Sequence, residues 1–246
     1  MRIQNVGLQL YSLHEYTEKD FCGTVEQVAR MGYRGVEFAG YGALKPGQVA
    51  RLLKDNGLEA YGSHIGGLPK TEAELDAEIE MNLAVGSRYL VCPWQDMATR
   101  DDALRFAEVM NETAARLRPH GLRLGYHNHD FEFRVDRGEV LLDTVLNNVD
   151  ADVFAEFDVF WVAAAGFDPL RYIRRYAGRQ PLMHLKELAA DRKSNVEIGA
   201  GILDFDAIVA EGLAAGVEHF IIEQEEYTLP PLESCKRSLD RLLTWD

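Results

Sequence analysis

The chain has 246 residues, of which 47% are hydrophobic and 27% charged, with 21 Gly and 8 Pro. That is enough apolar material for one large core, and it suits a soluble globular protein of one domain. A net charge of −14 argues against nucleic acid and anionic membranes as partners and favours a small soluble substrate.

No run of about 18 apolar residues marks a membrane span. The opening MRIQNVGLQLYSLHE lacks a signal peptide's basic start and long apolar centre, and it reads as a strand. The three cysteines, Cys22, Cys92 and Cys235, are sparse and odd in number, which fits a reducing cytoplasm. Nothing in the sequence fixes the oligomeric state, and a homo-oligomer is compatible with it.

In chain order, short apolar runs alternate with segments of helical spacing, the signal of a parallel sheet built from βαβ units. Strands are predicted at Val6–Leu10, Gly35–Phe38, Glu59–Ser63, Tyr89–Cys92, Leu122–Tyr126, Val153–Phe157, Leu182–Leu185 and Phe220–Ile222. Helices are predicted at Asp20–Met31, Pro46–Asn56, Thr71–Ala84, Arg100–His120, Glu139–Asn148, Pro169–Ala177, Asp204–Ala215 and Leu232–Leu243. Gly32, Gly57, Gly121 and Gly216 stand where helices should stop, Pro46 and Pro169 suit first turns, and Thr71 with Glu74 has the capping-box pattern. Eight units of about 31 residues predict a single-domain (β/α)8 barrel over residues 1–246. An open doubly wound sheet would normally carry a glycine-rich turn after its first strand, and that place holds Gln9, Leu10 and Tyr11.

Barrel enzymes carry their chemistry at the C-terminal strand ends. There the chain offers Gln9 and Tyr11, Glu37, His64, Trp94 and Gln95, His127 and His129, Asp158, His184 and Lys186, and Glu223. Alternation along each strand puts His127 and His129 on one face, Glu156 and Asp158 on one, His184 and Lys186 on one, and Glu223 and Glu225 on one. Facing the helices, these groups would lie unpaired in an apolar layer at a cost of roughly several kcal/mol each, so they should face the lumen. His127, Asp158, His184 and Glu223 then converge from four successive strands as a metal site. Mixed nitrogen and oxygen donors suit Mn²⁺ first, with Zn²⁺, Co²⁺, Fe²⁺ or Mg²⁺ as alternatives, and disfavour Ca²⁺.

The segments GLQLYSLHE, GYRGVEFAG, GSHIG, LGYHNHDFEF, FAEFDVFWVAAAG, LMHLKEL, EIGAGILDF and FIIEQEEY resemble the xylose isomerase-like TIM barrels, the sugar phosphate isomerase/epimerase family. The resemblance covers nearly the whole chain. It implies one divalent metal held by Glu, Asp, His and Glu at strands five to eight, and Asp158, His184 and Glu223 match the last three. His127 stands where the family has its first Glu. It can ligate, but it cannot serve as a second carboxylate base.

The resemblance therefore implies proton abstraction beside a carbonyl of a small sugar or keto-sugar, by an isomerase or epimerase, with a dehydratase or lyase as the alternative. Glu223 is the first candidate base. His129, Lys186 and Glu156 lie on faces suited to moving protons or holding hydroxyls, and Lys186 is equally well explained as a surface or structural ion-pair partner of a neighbouring acid. His64 matches a substrate-hydroxyl contact, and Gln9 stands with it as a substrate-binding candidate. Glu37 either binds a hydroxyl or holds another side chain in place. Trp94, Trp161 and Phe131 can wall a sugar ring, whereas Glu225 and Glu226 read as a solvated loop. An abasic-site endonuclease, a zinc hydrolase and a non-catalytic sugar-binding barrel are the rival readings.

Overall fold

The computed structural model describes Ile3 and residues 5–244. Eight strands form a closed parallel barrel: β1 (Val6–Gln9), β2 (Gly35–Ala39), β3 (Glu59–His64), β4 (Tyr89–Cys92), β5 (Arg123–His127), β6 (Phe154–Asp158), β7 (Leu182–Leu185) and β8 (His219–Ile222). Each strand pairs with the next in sequence, and β8 returns to β1 through Val6 opposite Phe220 and Leu8 opposite Ile222. The ring of helices is α1 (Phe21–Met31), α2 (Pro46–Asn56), α3 (Glu72–Val85), α4 (Arg100–Leu117), α5 (Leu141–Asn148), α6 (Pro169–Arg175), α7 (Phe205–Ala214) and α8 (Pro231–Leu243). The fold is a single-domain (β/α)8 barrel. None of the helices among the described residues is long and apolar enough to cross a membrane.

Local chemistry sets the helix ends. Asp20, Thr71, Thr99, Asp168 and Asp204 each accept a backbone N–H at a helix start, and Thr71 with Glu74 forms the expected capping box. Gly32, Gly57, Gly121 and Gly216 all have positive φ, between 64° and 102°. Several predicted boundaries move by one or two residues because the caps lie outside the helices. The segment 118–120 is a separate 3-10 turn, and Glu139–Val140 pairs with Val135–Asp136 as a ribbon instead of opening α5. The short helix Val159–Ala164 and the ribbon Glu187–Leu188/Asn195–Val196 are additions that the apolar pattern did not show.

Outward strand residues such as Leu8, Phe38, Leu124, Phe157, Leu185 and Ile222 are buried beneath the helices. The lower lumen is filled by Tyr61, Tyr89, Val91, Phe154, Leu182 and Ile221. Two of these rings occupy space that only glycine leaves: a Cβ on Gly35 would come within 2.4–2.6 Å of Tyr61, and one on Gly125 within 2.2–2.6 Å of Phe154. The β2–β3 register shifts between Val36 and Glu37, so that Glu37 faces Gly62 and Ala39 faces His64. This bulge lets β3 send Tyr61 into the lower lumen and still aim His64 at the top.

Gly35→Ala should lower stability by about 1–3 kcal/mol through overpacking against Tyr61. Gly47→Ala, in α2 with open space around its Cβ, should be neutral or slightly stabilising. Urea denaturation of the two variants beside the parent checks the contrast.

Candidate metal centre and cavity

Because the strand period is two, the last inward positions of β5 and β6, His127 and Asp158, meet at the top of the lumen with His184 of β7 and Glu223 just past β8. All four are buried, and one donor atom from each lies within 4.8 Å of all the others. His127 Nε2 is 3.7 Å from Asp158 Oδ2 and 4.0 Å from Glu223 Oε2, and His184 Nδ1 is 3.3 Å from Glu223 Oε2. A cation roughly 2.0–2.2 Å from nitrogen and oxygen donors holds them about 3–4 Å apart, so the set fits a divalent ion. Both ring nitrogens of His127 and Asp158 Oδ2 are buried without a hydrogen-bond partner. Leaving such an atom unsatisfied costs about 1–3 kcal/mol, and a shared cation would satisfy His127 and Asp158 at one point.

Neighbours orient each donor. Asp158 Oδ1 accepts from the Phe160 and Trp161 amides at 2.8 and 3.4 Å, capping Val159–Ala164 and leaving Oδ2 free to face His127. His184 donates through Nε2 to Glu37 Oε2 at 2.6 Å, which turns the Nδ1 lone pair toward Glu223. That contact needs positive charge between its partners, from a proton or a cation. Burial alone would strip the proton from His184, but Glu156, Glu223 and Glu37 together push its pKa well above the ordinary value. Burial pushes Asp158 up to about 8, with Glu223 adding to the rise. Glu223 stays a carboxylate: burial works against it, but Lys186 and His184 hold it well below the usual range.

Below this set lies a second one, Glu37, His64, Glu156 and His184. Its close pairs, His184 Nε2 to Glu37 at 2.6 Å and His64 Nε2 to Glu156 at 2.7 Å, have hydrogen-bond lengths and are shorter than donors on one cation adopt. It is a hydrogen-bonded array. Gln9 Nε2 donates to the same Glu37 oxygen at 2.9 Å. Burial and the Glu37 charge raise Glu156 to about 7.

Gln9, Glu37 and Glu156 were expected at the substrate. The structure encloses all three completely, beneath the cavity lining: parity turns them into the lumen, and their positions along the strands leave them one layer below the mouth. Glu37 Oε2 accepts from His184 Nε2, the contact that the second of its two expected roles calls for. A Cβ at position 62 would meet Glu37 Oε1 at 2.5 Å, so Gly62 makes room for this carboxylate.

Above the donors opens a cavity of about 780 Å³, lined by His64, His127, His129, Trp94, Trp161 and Glu223 among others. His129 packs near Trp94, Trp161 and Phe131, and burial lowers it to about 4, so it is a neutral imidazole at pH 7. Lys186 is buried, not on the surface. Its Nζ lies 2.7 Å from Glu225 and 3.6 Å from Glu223, and over the Trp161 and Phe160 rings at 4.8 and 5.2 Å. Glu225, expected as a solvated loop residue, is its partner and lines the cavity. Glu226, expected likewise, accepts the Asn195 amide at 3.0 Å.

Three carboxylates escaped the sequence reading. Glu187 accepts the amides of Gly199 and Leu203 at 3.1 and 3.0 Å and ties the GAGILDF loop to the end of β7. Gly201 must be glycine there, since a Cβ would come within 2.4 Å of Glu187 Oε1. Glu197 binds Thr228 and Ser234, and these hydrogen bonds overcome burial to hold it at about 2. Glu132 accepts from Tyr126 Oη at 2.6 Å and from the His129 amide at 2.9 Å. None of the three belongs to an inward strand set: Glu187 follows Lys186 on the opposite parity, and Glu132 and Glu197 lie on loops, so the strand pattern carried no signal for them.

Residues 25–245 match the model of the xylose isomerase-like TIM barrel family, and the chain belongs to that family. No curated protein matches its sequence. Among solved structures, a sugar phosphate isomerase/epimerase from Parabacteroides distasonis superposes with a TM-score of 0.83 at 23% identity, covering 99% of both chains. An L-ribulose 3-epimerase gives 0.73 at 15% identity, over 98% of this chain and 93% of that one. The probable 3-DHS dehydratase involved in petrobactin synthesis from Bacillus anthracis gives 0.75 at 13% identity, over 98% and 100%. At these identities the likeness shows the shared fold.

Asp158→Asn keeps a capping oxygen for the Phe160 amide but removes the charge. In the parent, Mn²⁺ at 100 times its Kd should add about 2.7 kcal/mol of stability. The variant should fold and lose most of that gain in thermal melts with and without Mn²⁺. An equal gain in both proteins would contradict the assignment.

Proposed function

We propose that this chain is a divalent-metal-dependent enzyme that removes a proton beside the carbonyl of a small sugar or keto-sugar, in the manner of an isomerase or epimerase. The observation that carries this reading is the set of four buried donors, with unsatisfied atoms on His127 and Asp158, beneath a cavity that His127 and Glu223 line. We assign His127, Asp158, His184 and Glu223 as ligands and Mn²⁺ as the first ion to test, with Zn²⁺, Co²⁺, Fe²⁺ and Mg²⁺ behind it. The three unpaired cysteines are consistent with a reducing cytoplasm.

A divalent ion at this position supplies Lewis acidity toward a carbonyl and its adjacent hydroxyl. The chain supplies the rest. Glu223, ionised and lining the cavity, accepts the proton from carbon. Lys186, fixed between Glu223 and Glu225, keeps that carboxylate charged while it waits. His129, neutral at the wall, hydrogen-bonds a substrate oxygen. His64 reaches the cavity from β3 and bonds a substrate hydroxyl while Glu156 fixes its ring. Trp94 and Trp161 form the wall against the sugar.

One observation favours elimination as the second reading. Strand five offers His127 where a two-base epimerase needs a carboxylate, and the other acids lining the cavity are engaged: Glu225 with Lys186, Glu78 with Tyr41. A single carboxylate suffices for elimination: Glu223 takes the proton from one carbon and gives it to the oxygen that leaves the next, so that no second acid is needed.

Proton/deuterium exchange into a panel of keto-sugars, followed by NMR in D₂O, tests the reading. The Mn²⁺-loaded parent should exchange a carbon-bound proton, and Glu223→Gln should slow exchange by about 10²–10⁴-fold. Equal exchange in chelated protein, or in the variant, would overturn it. Inverted product would identify epimerisation, and an unsaturated product would identify elimination.

A further inference from the structure

Across the mouth from the metal donors, the cavity wall carries a carboxylate with a free oxygen. The donors hang from β5, β6, β7 and the end of β8, whereas Tyr41 follows β2 and Glu78 lies on α3, after β3. In a closed ring of eight strands, β2 stands across from β6 and β3 across from β7. Both Tyr41 and Glu78 line the cavity. His64 links the two sides. Its partner across the strands is Ala39, two residues before Tyr41, and its ring lies 5.2 Å from that of His184 and 5.1 Å from that of His127.

The hydrogen bonds behind Glu78 run in one direction. Its backbone carbonyl accepts from Asn82 Nδ2 at 2.9 Å, which turns Asn82 Oδ1 toward Ser63 Oγ at 2.8 Å. Asn82 Nδ2 also donates to Tyr41 Oη at 3.4 Å, so the phenol gives its own proton to Glu78 Oε2, at 3.2 Å. Ser63 and Asn82 are fully buried, and the Tyr41 ring packs 5.2 Å from that of Phe38. Among the described residues Tyr41 is the one partner of the Glu78 carboxylate, which leaves Oε1 to accept from a ligand. Burial pushes Glu78 above the ordinary carboxylate value, and the Tyr41 bond works against that rise.

Charge narrows what can meet Oε1. Among the described residues the lining includes Glu78, Glu223 and Glu225 but no Lys or Arg. A divalent ion would be matched by Asp158 and Glu223, and Lys186 is matched by Glu225 at 2.7 Å. Glu78 is left as an uncompensated acceptor. Lys70 and Arg105 lie in a neighbouring hollow that meets the cavity at Gly66, but Asp96 and Asp102 lie there too, and Arg105 is paired with Asp102. A phosphate brought to Glu78 meets a like charge in a partly buried setting. A hydroxyl there donates to a carboxylate and gains a charge-assisted bond.

We infer that Tyr41 and Glu78 form a second anchoring point for the substrate. It accepts a hydrogen bond from an uncharged hydroxyl at the end remote from the carbonyl and turns a phosphate away from that end. The inference rests on the proposed function for the place of the carbonyl, at the metal donors. It makes the substrate a free sugar at its far end, and it makes Glu78 a residue that sets specificity and takes no part in proton transfer at carbon.

The test uses Mn²⁺-loaded protein and a panel of 2-ketohexoses, each as the free sugar, the 6-deoxy form and the 6-phosphate. Carbon 6 is the end remote from the ketone. Affinity is read by calorimetry and enolisation by deuterium exchange. The best-bound free sugar should bind about tenfold more tightly than its 6-deoxy form, and more tightly than its phosphate. Glu78→Gln should shrink both margins several-fold while Mn²⁺ stabilises it as much as the parent. Tyr41→Phe, which keeps the ring beside Phe38, should shrink the deoxy margin as well. A 6-deoxy form or 6-phosphate that binds the parent as tightly as the free sugar would overturn the inference, and so would failure of every free sugar to bind. Equal weakening of free sugar and deoxy form in Glu78→Gln would make the residue purely structural and overturn it too. The expected margins without deuterium exchange would uphold the anchoring point and reject the proposed enolisation, and exchange without the margins would do the reverse.

Discussion

His184 is held from both sides. Its Nε2 donates to the enclosed Glu37, and its Nδ1 faces Glu223 at the cavity floor. An imidazole fixed in this way presents one lone pair toward two carboxylates, and burial makes any uncompensated charge there expensive. The rest of the site follows from satisfying that demand. Asp158 gives one oxygen to a helix start and keeps the other for the cluster, and Lys186 neutralises Glu223. Gln9 and the missing Cβ of Gly62 exist, in physical terms, to keep Glu37 where it can hold His184.

The barrel tolerates this concentration of charge because the layers are separated. Beneath the polar floor, Tyr61 and Phe154 fill the lumen over Gly35 and Gly125, so this layer is packed with aromatic rings. Above it, Glu187 and Glu197 anchor the loops after β7 and β8 through backbone amides and hydroxyls. These loops hold their shape without lending charge to the cavity. Glu225 then closes over Lys186, and the mouth remains aromatic and acidic.

Much of this was legible in the sequence because strand parity is a hard rule. His127, Asp158, His184 and Glu223 could be placed on one surface from spacing alone, and the structure brings their donor atoms within 4.8 Å. Depth was not legible. Parity says that Gln9, Glu37 and Glu156 face inward, but not that they stop one layer short of the cavity. The β3 bulge breaks strict alternation, so the placing of both Tyr61 and His64 in the lumen was hidden as well. Lys186 and Glu225 lie 39 residues apart, and only the closed barrel brings them together. Glu187 and Glu197 act on loop backbone, which leaves no periodic trace.

Anomalous diffraction from crystals soaked in Mn²⁺ tests the central claim most directly. A single strong peak should lie within roughly 2.0–2.3 Å of His127 Nε2, Asp158 Oδ2, His184 Nδ1 and a Glu223 oxygen, while Glu37 and His64 keep their hydrogen bonds below it. A peak on the Glu37, His64, Glu156 and His184 set alone, or no peak at the cavity floor, would contradict the account.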